Sequence, residues 1–224
     1  MKKSVSKSTH LKKKTASKRA SSNSTNENGT RLALIKAAKV LFAKQGLRGT
    51  SIRDIAQYAG INSSMISYYF GGKEGLYKEC LQEINETRFS MASDILSPPK
   101  DEAEYRVRLK MFIENMFSLF LEDRYTGLII MREFDRAKSP AGPIFKSGFL
   151  KVFELLGNFF ASAQKKKFIG AHHDPLLLAS VFFGTITMQM RMDHIIQKNH
   201  GRSLKDVKTR EKAEEQLIEF FTKL

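Results

Sequence analysis

Residues 1–29 are Lys, Ser, Thr and Asn with almost no apolar side chains, and from Arg31 a helical period sets in. Leu34, Ala37, Ala38, Leu41 and Phe42 recur at i, i+3, i+4, i+7 and i+8, which predicts a first helix ending at Gly46. Thr50-Ser51 then precede Ile52, Ile55, Ala56 and Ala59. Asp54 lies three residues after Ser51, the spacing of a capping box, so a second helix starts there. Gly60 tolerates the positive φ of a tight turn and stops it, and Asn62 or Ser63 caps a short third helix through Phe70. A helix, a glycine turn and a second helix make a helix-turn-helix. From Gly72-Lys73 a longer helix carries Leu76, Tyr77, Cys80, Leu81, Ile84, Met91 and Ile95 to Leu96, and Pro98-Pro99 ends it.

The remaining pattern is helical and more apolar. Tyr105, Leu109, Phe112, Ile113, Met116, Phe117, Phe120 and Leu121 form one stripe, and Leu128 to Phe134 form a second segment before Ser139-Pro140. A third segment, Ile144 to Lys166, closes near Gly170. Asp174-Pro175 caps and starts a fourth, apolar nearly all round to Ile196, and Ala213, Leu217, Phe220, Phe221 and Leu224 mark a fifth. Strand alternation and a fixed repeat are both missing, so the expected class is all-α: an N-terminal three-helix unit followed by a larger helical domain. The run Leu176 to Met188 is broken by Ser180, Thr185 and Thr187 and falls short of the ~18 residues a membrane span needs, so it reads as a buried helix with no membrane partner.

Composition sharpens this outline. Residues 1–29 cannot bury enough surface to offset backbone ordering and are expected to be a disordered basic arm. Domains then follow at 30–77 and 78–224. The formal net charge is +15, and it is concentrated towards the N-terminus, where residues 1–30 set eight Lys or Arg against Glu27 alone. Such a gradient attracts polyanions, whose phosphates exchange condensed counterions for lysine and arginine. The single Cys80 forms no intramolecular disulfide and no apolar secretory segment follows the first lysines, so a cytoplasmic setting is expected.

The third helix holds the chemistry. A recognition helix enters a major groove about 12 Å wide with small polar side chains that reach base edges or phosphates. Ser63, Ser64 and Ser67 fit, Met65 can touch a thymine methyl, and the phenols of Tyr68 and Tyr69 can reach phosphate oxygens while Ile66 and Phe70 face the core. Lys73, at the start of the next helix, is placed for a phosphate.

The same residues resemble the tetracycline-repressor (TetR) family of bacterial one-component regulators. The resemblance is carried by Gly46, Gly49-Thr50-Ser51-Ile52-Arg53-Asp54-Ile55-Ala56, Ala59-Gly60-Ile61-Asn62, Ile66, Tyr68-Tyr69-Phe70 and Lys73-Glu74-Gly75-Leu76. It is dense across 31–81; beyond, only the helical pattern is similar. It implies phosphate contacts at Thr50 and Lys73, backbone anchors at Tyr68 and Tyr69, and a base-reading face from Asn62 to Ser67, with Ser51 beside it. Ser67 stands where many members carry tyrosine. The resemblance also implies a homodimer on double-stranded operator DNA and a ligand cavity in the C-terminal half.

Of the 17 phenylalanines, 14 lie after residue 90, joined by Met111, Met116, Met131, Met188, Met190 and Met192. Flexible Met beside Phe suits a pocket for a small apolar or aromatic effector, and Phe112, Met116, Met131, Phe134, Phe153 and Met188 are assigned to it. The two last segments, around 175–196 and 206–223, are the expected dimer seam. Gly71-Gly72-Lys73 lacks the glycine and hydroxyl spacing of a nucleotide loop, and adjacent His172-His173 do not converge on one ion. No cofactor, metal or catalytic constellation is expected. The reading is a homodimeric repressor released by a small effector, against the alternative of a helical carrier or enzyme that retains a DNA-binding module.

Overall fold

The computed structural model describes the backbone of residues 8–134 and 142–224, with side chains from residue 27 onward. Among the described residues the chain is all-α, and no helix is long and apolar enough to cross a membrane. It divides into two compact units, one ending at Tyr77 and the other running from Lys78 to Leu224.

The first unit holds α1 (Ser8–Gly49), α2 (Ile52–Ala59), α3 (Ser64–Phe70) and the start of α4 (Lys73–Ile95). Helix α1 is interrupted at Gly46, where φ is 73° and ψ 171°, the place at which the apolar pattern stops. Its backbone is helical from Ser8. Residues 1–7 lie outside the described residues. Leu34, Ala38 and Phe42 of α1, Ile55 of α2, Ile66 of α3 and Leu76 of α4 are all buried, and the Phe42 and Tyr77 rings meet edge to face at 4.9 Å.

The second unit contains the rest of α4, then α5 (Glu102–Leu121), α6 (Arg124–Phe134), α7 (Gly142–Lys165), α8 (Pro175–His200) and α9 (Val207–Thr222). Ser139-Pro140, the expected stop after α6, lies outside the described residues. Aspartates start three of these helices: Asp101, Asp174 and Asp206 each accept from backbone N–H groups in the first turn, with Pro175 at the first position of α8. The core is aromatic. Tyr105 stacks on Phe159 at 5.2 Å, Phe160 on Phe221 at 5.6 Å and Phe112 on Phe182 at 5.4 Å.

The Tyr105 hydroxyl is buried and donates to the Phe221 carbonyl at 2.8 Å. Phe221 sits in the last turn of α9, where carbonyls lack intrahelical partners, so the phenol closes that helix end. Burial also pushes the Tyr105 phenol well above its ordinary pKa, which keeps the donor proton in place. Tyr105→Phe is therefore expected to lower unfolding free energy by ~1–3 kcal/mol, read from the urea midpoint at unchanged slope.

Helix α8 departs from the buried helix expected of its sequence. Leu178, Ala179, Phe182, Phe183 and Ile186 are buried, whereas Leu176, Leu177, Val181 and Met188 are exposed. An all-round apolar helix here has only one face covered by its own chain.

Candidate nucleic-acid interface and inner cavity

The turn that sets α3 depends on local chemistry. Ser51 caps α2: its hydroxyl oxygen accepts from Asp54 N–H at 3.1 Å, and its own N–H donates to Asp54 Oδ2 at 3.1 Å. At the other end Gly60 adopts φ 67°, a left-handed conformation other residues reach only with strain, and its N–H bonds to the last carbonyls of α2. Of the two candidate caps for α3, Asn62 does the capping. Its Oδ1 accepts from both the N–H and the hydroxyl of Ser64, each at 2.9 Å, while Ser63 makes no side-chain cap bond.

The outward side of α3 carries the residues expected there. Asn62, Ser64, Ser67 and Tyr68 are exposed, and Ser63, Met65 and Tyr69 are partly exposed. Tyr68 keeps 73% of its surface, with its ring against Tyr69 at 5.0 Å. Apart from that contact with Tyr69, most of the ring and its hydroxyl are open to solvent. Partial desolvation, followed by the Glu27 carboxylate and Tyr68, raises the pKa of the Tyr69 phenol, so it remains a donor.

Helix α4 begins hard against the end of α3. A Cβ on Gly75 would fall 1.8 Å from the Phe70 carbonyl oxygen, so only glycine fits. That crossing holds Lys73 in place, with its ammonium donating to the Thr50 carbonyl at 2.8 Å and two protons left over.

Thr50 is a correction. Its side chain is 1% exposed, and its hydroxyl points to the carbonyls of Gly46 at 2.8 Å and Leu41 at 3.3 Å. The side chain latches the break after α1 and is not free for a phosphate. Two exposed arginines flanking this turn, Arg48 and Arg53, were not among the expected DNA contacts. Their charge beside the capping box was the available signal.

In the second unit, α4 through α8 line a small cavity of about 70 Å³. It is lined by Ile84, Asn85, Arg88, Met116, Leu119, Phe120, Ile130, Phe134, Phe145, Gly148, Phe149, Val152, Phe183 and Thr187. A wider pocket of about 380 Å³ shares Phe134, Phe149, Phe183 and Thr187 with it and adds Met131, Gly184, Met188 and Arg191. Of the six assigned residues, Met116 and Phe134 line the inner cavity, and Met131 and Met188 line the outer pocket. Phe112 is a core residue, 2% exposed and stacked on Phe182, and Phe153 packs behind Phe149 and Phe183 without reaching either space.

The polar members of the wall were not anticipated. Asn85 donates to the Ile144 carbonyl at 2.7 Å, clipping α4 to α7, and Gly148 makes room for it: a Cβ there would lie 2.1 Å from Asn85 Cγ. His172 and His173 sit together in the turn before α8, and among the described residues no group of three His, Cys, Asp or Glu could hold a metal ion.

Comparison with known proteins bears on these two units. The profile of the bacterial regulatory proteins of the tetR family matches residues 34–80. The HTH-type transcriptional repressor KstR2 of Rhodococcus jostii (strain RHA1) is 36% identical over 75 residues, covering 34% of this chain and 37% of that protein. The chain thus spans about a third of that relative. Among solved structures, the transcriptional regulator FadR from Bacillus subtilis in complex with stearoyl-CoA aligns with a TM-score of 0.70 at 17% identity, over 85% of this chain and 97% of that one. The ketosteroid transcriptional regulator KstR2 of Mycobacterium tuberculosis aligns at 0.64 and 21% identity, over 86% and 92%. At such identities the likeness is one of fold.

Proposed function

We propose that this chain, whose residues 34–80 match the profile of the bacterial regulatory proteins of the tetR family, is a homodimeric transcriptional repressor. It reads an inverted-repeat operator through α3 and is released by a small apolar effector held in the second unit. The observation that carries the reading is the outer side of α3, where exposed Ser64, Ser67 and Tyr68 stand over a buried Ile66 on a helix fixed by the Gly60 turn. Hydroxyls there suit base edges, Tyr68 and Tyr69 suit phosphates, and Lys73 supplies a cation at the start of α4.

Two copies are needed because one short helix reads only a half-site, and dimer symmetry sets two of them about 34–36 Å apart. The uncovered apolar residues of α8, with exposed Phe220 on α9, support a partner surface formed by a second copy. Effector binding favours a conformer whose two recognition helices no longer match that separation, which requires different affinities for the two states.

The test is selection of duplexes from a random-sequence pool by the full chain. Enrichment of an inverted repeat is expected; no enrichment over the starting pool overturns the reading. On the selected duplex, Ser63→Ala and Ser64→Ala are expected to shift base preference at one or two positions of each half-site, by ~1–3 kcal/mol in discrimination, with little change at the others. A uniform loss across sequences would remove the serines from base reading.

A further inference from the structure

One cation faces the inner cavity. Arg88 of α4 is a wall residue whose side chain keeps only 19% of its exposure. Its Nη2 meets Asp123 Oδ2 at 3.3 Å, and Asp123 is itself 48% exposed. Its Nε is buried and has no hydrogen-bond partner among the described residues. Native proteins rarely leave such a donor unmet, and the exceptions call for a functional explanation. Of the other polar side chains of the wall, Asn85 Nδ2 gives one of its two protons to the Ile144 carbonyl and Thr187 Oγ1 donates to the Phe183 carbonyl at 2.6 Å. Burial draws the guanidinium pKa below its ordinary value, against the opposing influence of Asp123. Arginine nevertheless stays charged at any working pH.

Around this group the surface is almost wholly hydrocarbon, with Met116, Phe134, Phe149 and Phe183 on the facing walls. Resting on the reading of this unit as the effector-binding half, we propose that the cavity takes a small apolar carboxylic acid. Its carboxylate accepts from Arg88 Nε, and its body lies against Phe134, Phe149 and Phe183. A guanidinium edge matches a carboxylate, and a bond charged on both sides is roughly twice as strong as a neutral one. A volume of about 70 Å³ has room for roughly five to seven water-sized groups, which fits one ring or a short chain beyond the carboxylate.

Calorimetry of the full chain with sodium benzoate and hexanoate, against benzyl alcohol and hexanol, tests this. The acids are expected to bind at least roughly tenfold tighter than the alcohols of the same body. Arg88→Gln should erase that preference. Asp123→Asn breaks the same ion pair but leaves Nε in place, so it should retain the preference, and it controls for damage to the fold. Equal binding of acids and alcohols overturns the proposal, as does a preference that survives Arg88→Gln or vanishes in Asp123→Asn. Binding of the selected duplex is measured alongside: acids that fail to bind a protein that still shifts DNA sink this inference alone, whereas acids that bind a protein with no DNA affinity leave it standing and sink the repressor reading.

Discussion

Val181→Glu is expected to yield a protein that sediments as a single chain and binds its inverted-repeat duplex about a hundredfold more weakly or worse. Leu177, Val181 and Met188 keep 66%, 46% and 58% of their surface and recur at helical spacing along one side of α8. Gly184 falls among them, and a Cβ on it would meet nothing within 4 Å, so another helix could approach closely there. A glutamate at 181 would be solvated in a lone chain but desolvated and unpaired between two, so its cost falls on association and not on folding. Loss of association forfeits the linkage between half-sites, where the second contact benefits from a high effective concentration. Sedimentation velocity and fluorescence anisotropy on one sample decide the matter. A wild-type protein that is already a single chain, or a Val181→Glu protein that stays paired, would dismiss α8 as the seam. Gln197→Glu, exposed and polar near the end of the same helix, should change neither measurement.

Lys73→Ala should weaken DNA binding on every sequence alike and reduce the magnitude of the salt slope, log K against log salt, by about 0.9 per half-site. The lysine already donates to the Thr50 carbonyl, so its stem is held and little side-chain entropy remains to be lost on meeting a phosphate. The same bond predicts a small stability loss, near 1 kcal/mol. Thr50→Val is the companion experiment. Removing a buried hydroxyl that donates to Gly46 and Leu41 carbonyls should cost ~1–3 kcal/mol of stability and leave the salt slope alone. A flattened slope in Thr50→Val would restore that side chain as a phosphate contact, and an unchanged slope in Lys73→Ala would remove the lysine.

The helix-turn-helix was legible because each of its signals is local. Ser51 and Asp54 announce a cap by spacing alone, Gly60 marks the one left-handed residue of the turn, and Ile55 and Ile66 give the buried sides. At Thr50 the resemblance implied a phosphate contact, but the chain break at Gly46 brings carbonyls to its hydroxyl, which no local signal announces. The cavity was less legible. Periodicity tells that Phe112 and Met116 turn inward, but it does not tell that Phe112 meets the Phe182 ring while Met116 borders a void. Asn85 and Arg88 were invisible for the same reason, since polar residues on a long helix read as solvent-facing until a second helix, α7, is laid over them. Helix α8 was read as apolar without knowing that its own chain covers only one side.

Cys80 is 0% exposed, and it is the one cysteine in the sequence. A maleimide dye or nitroxide would therefore react at an engineered surface thiol while sparing the native one. With Gln57→Cys on α2, two labels in an assembled pair would report the spacing of the reading heads as a spectroscopic ruler, before and after benzoate is added.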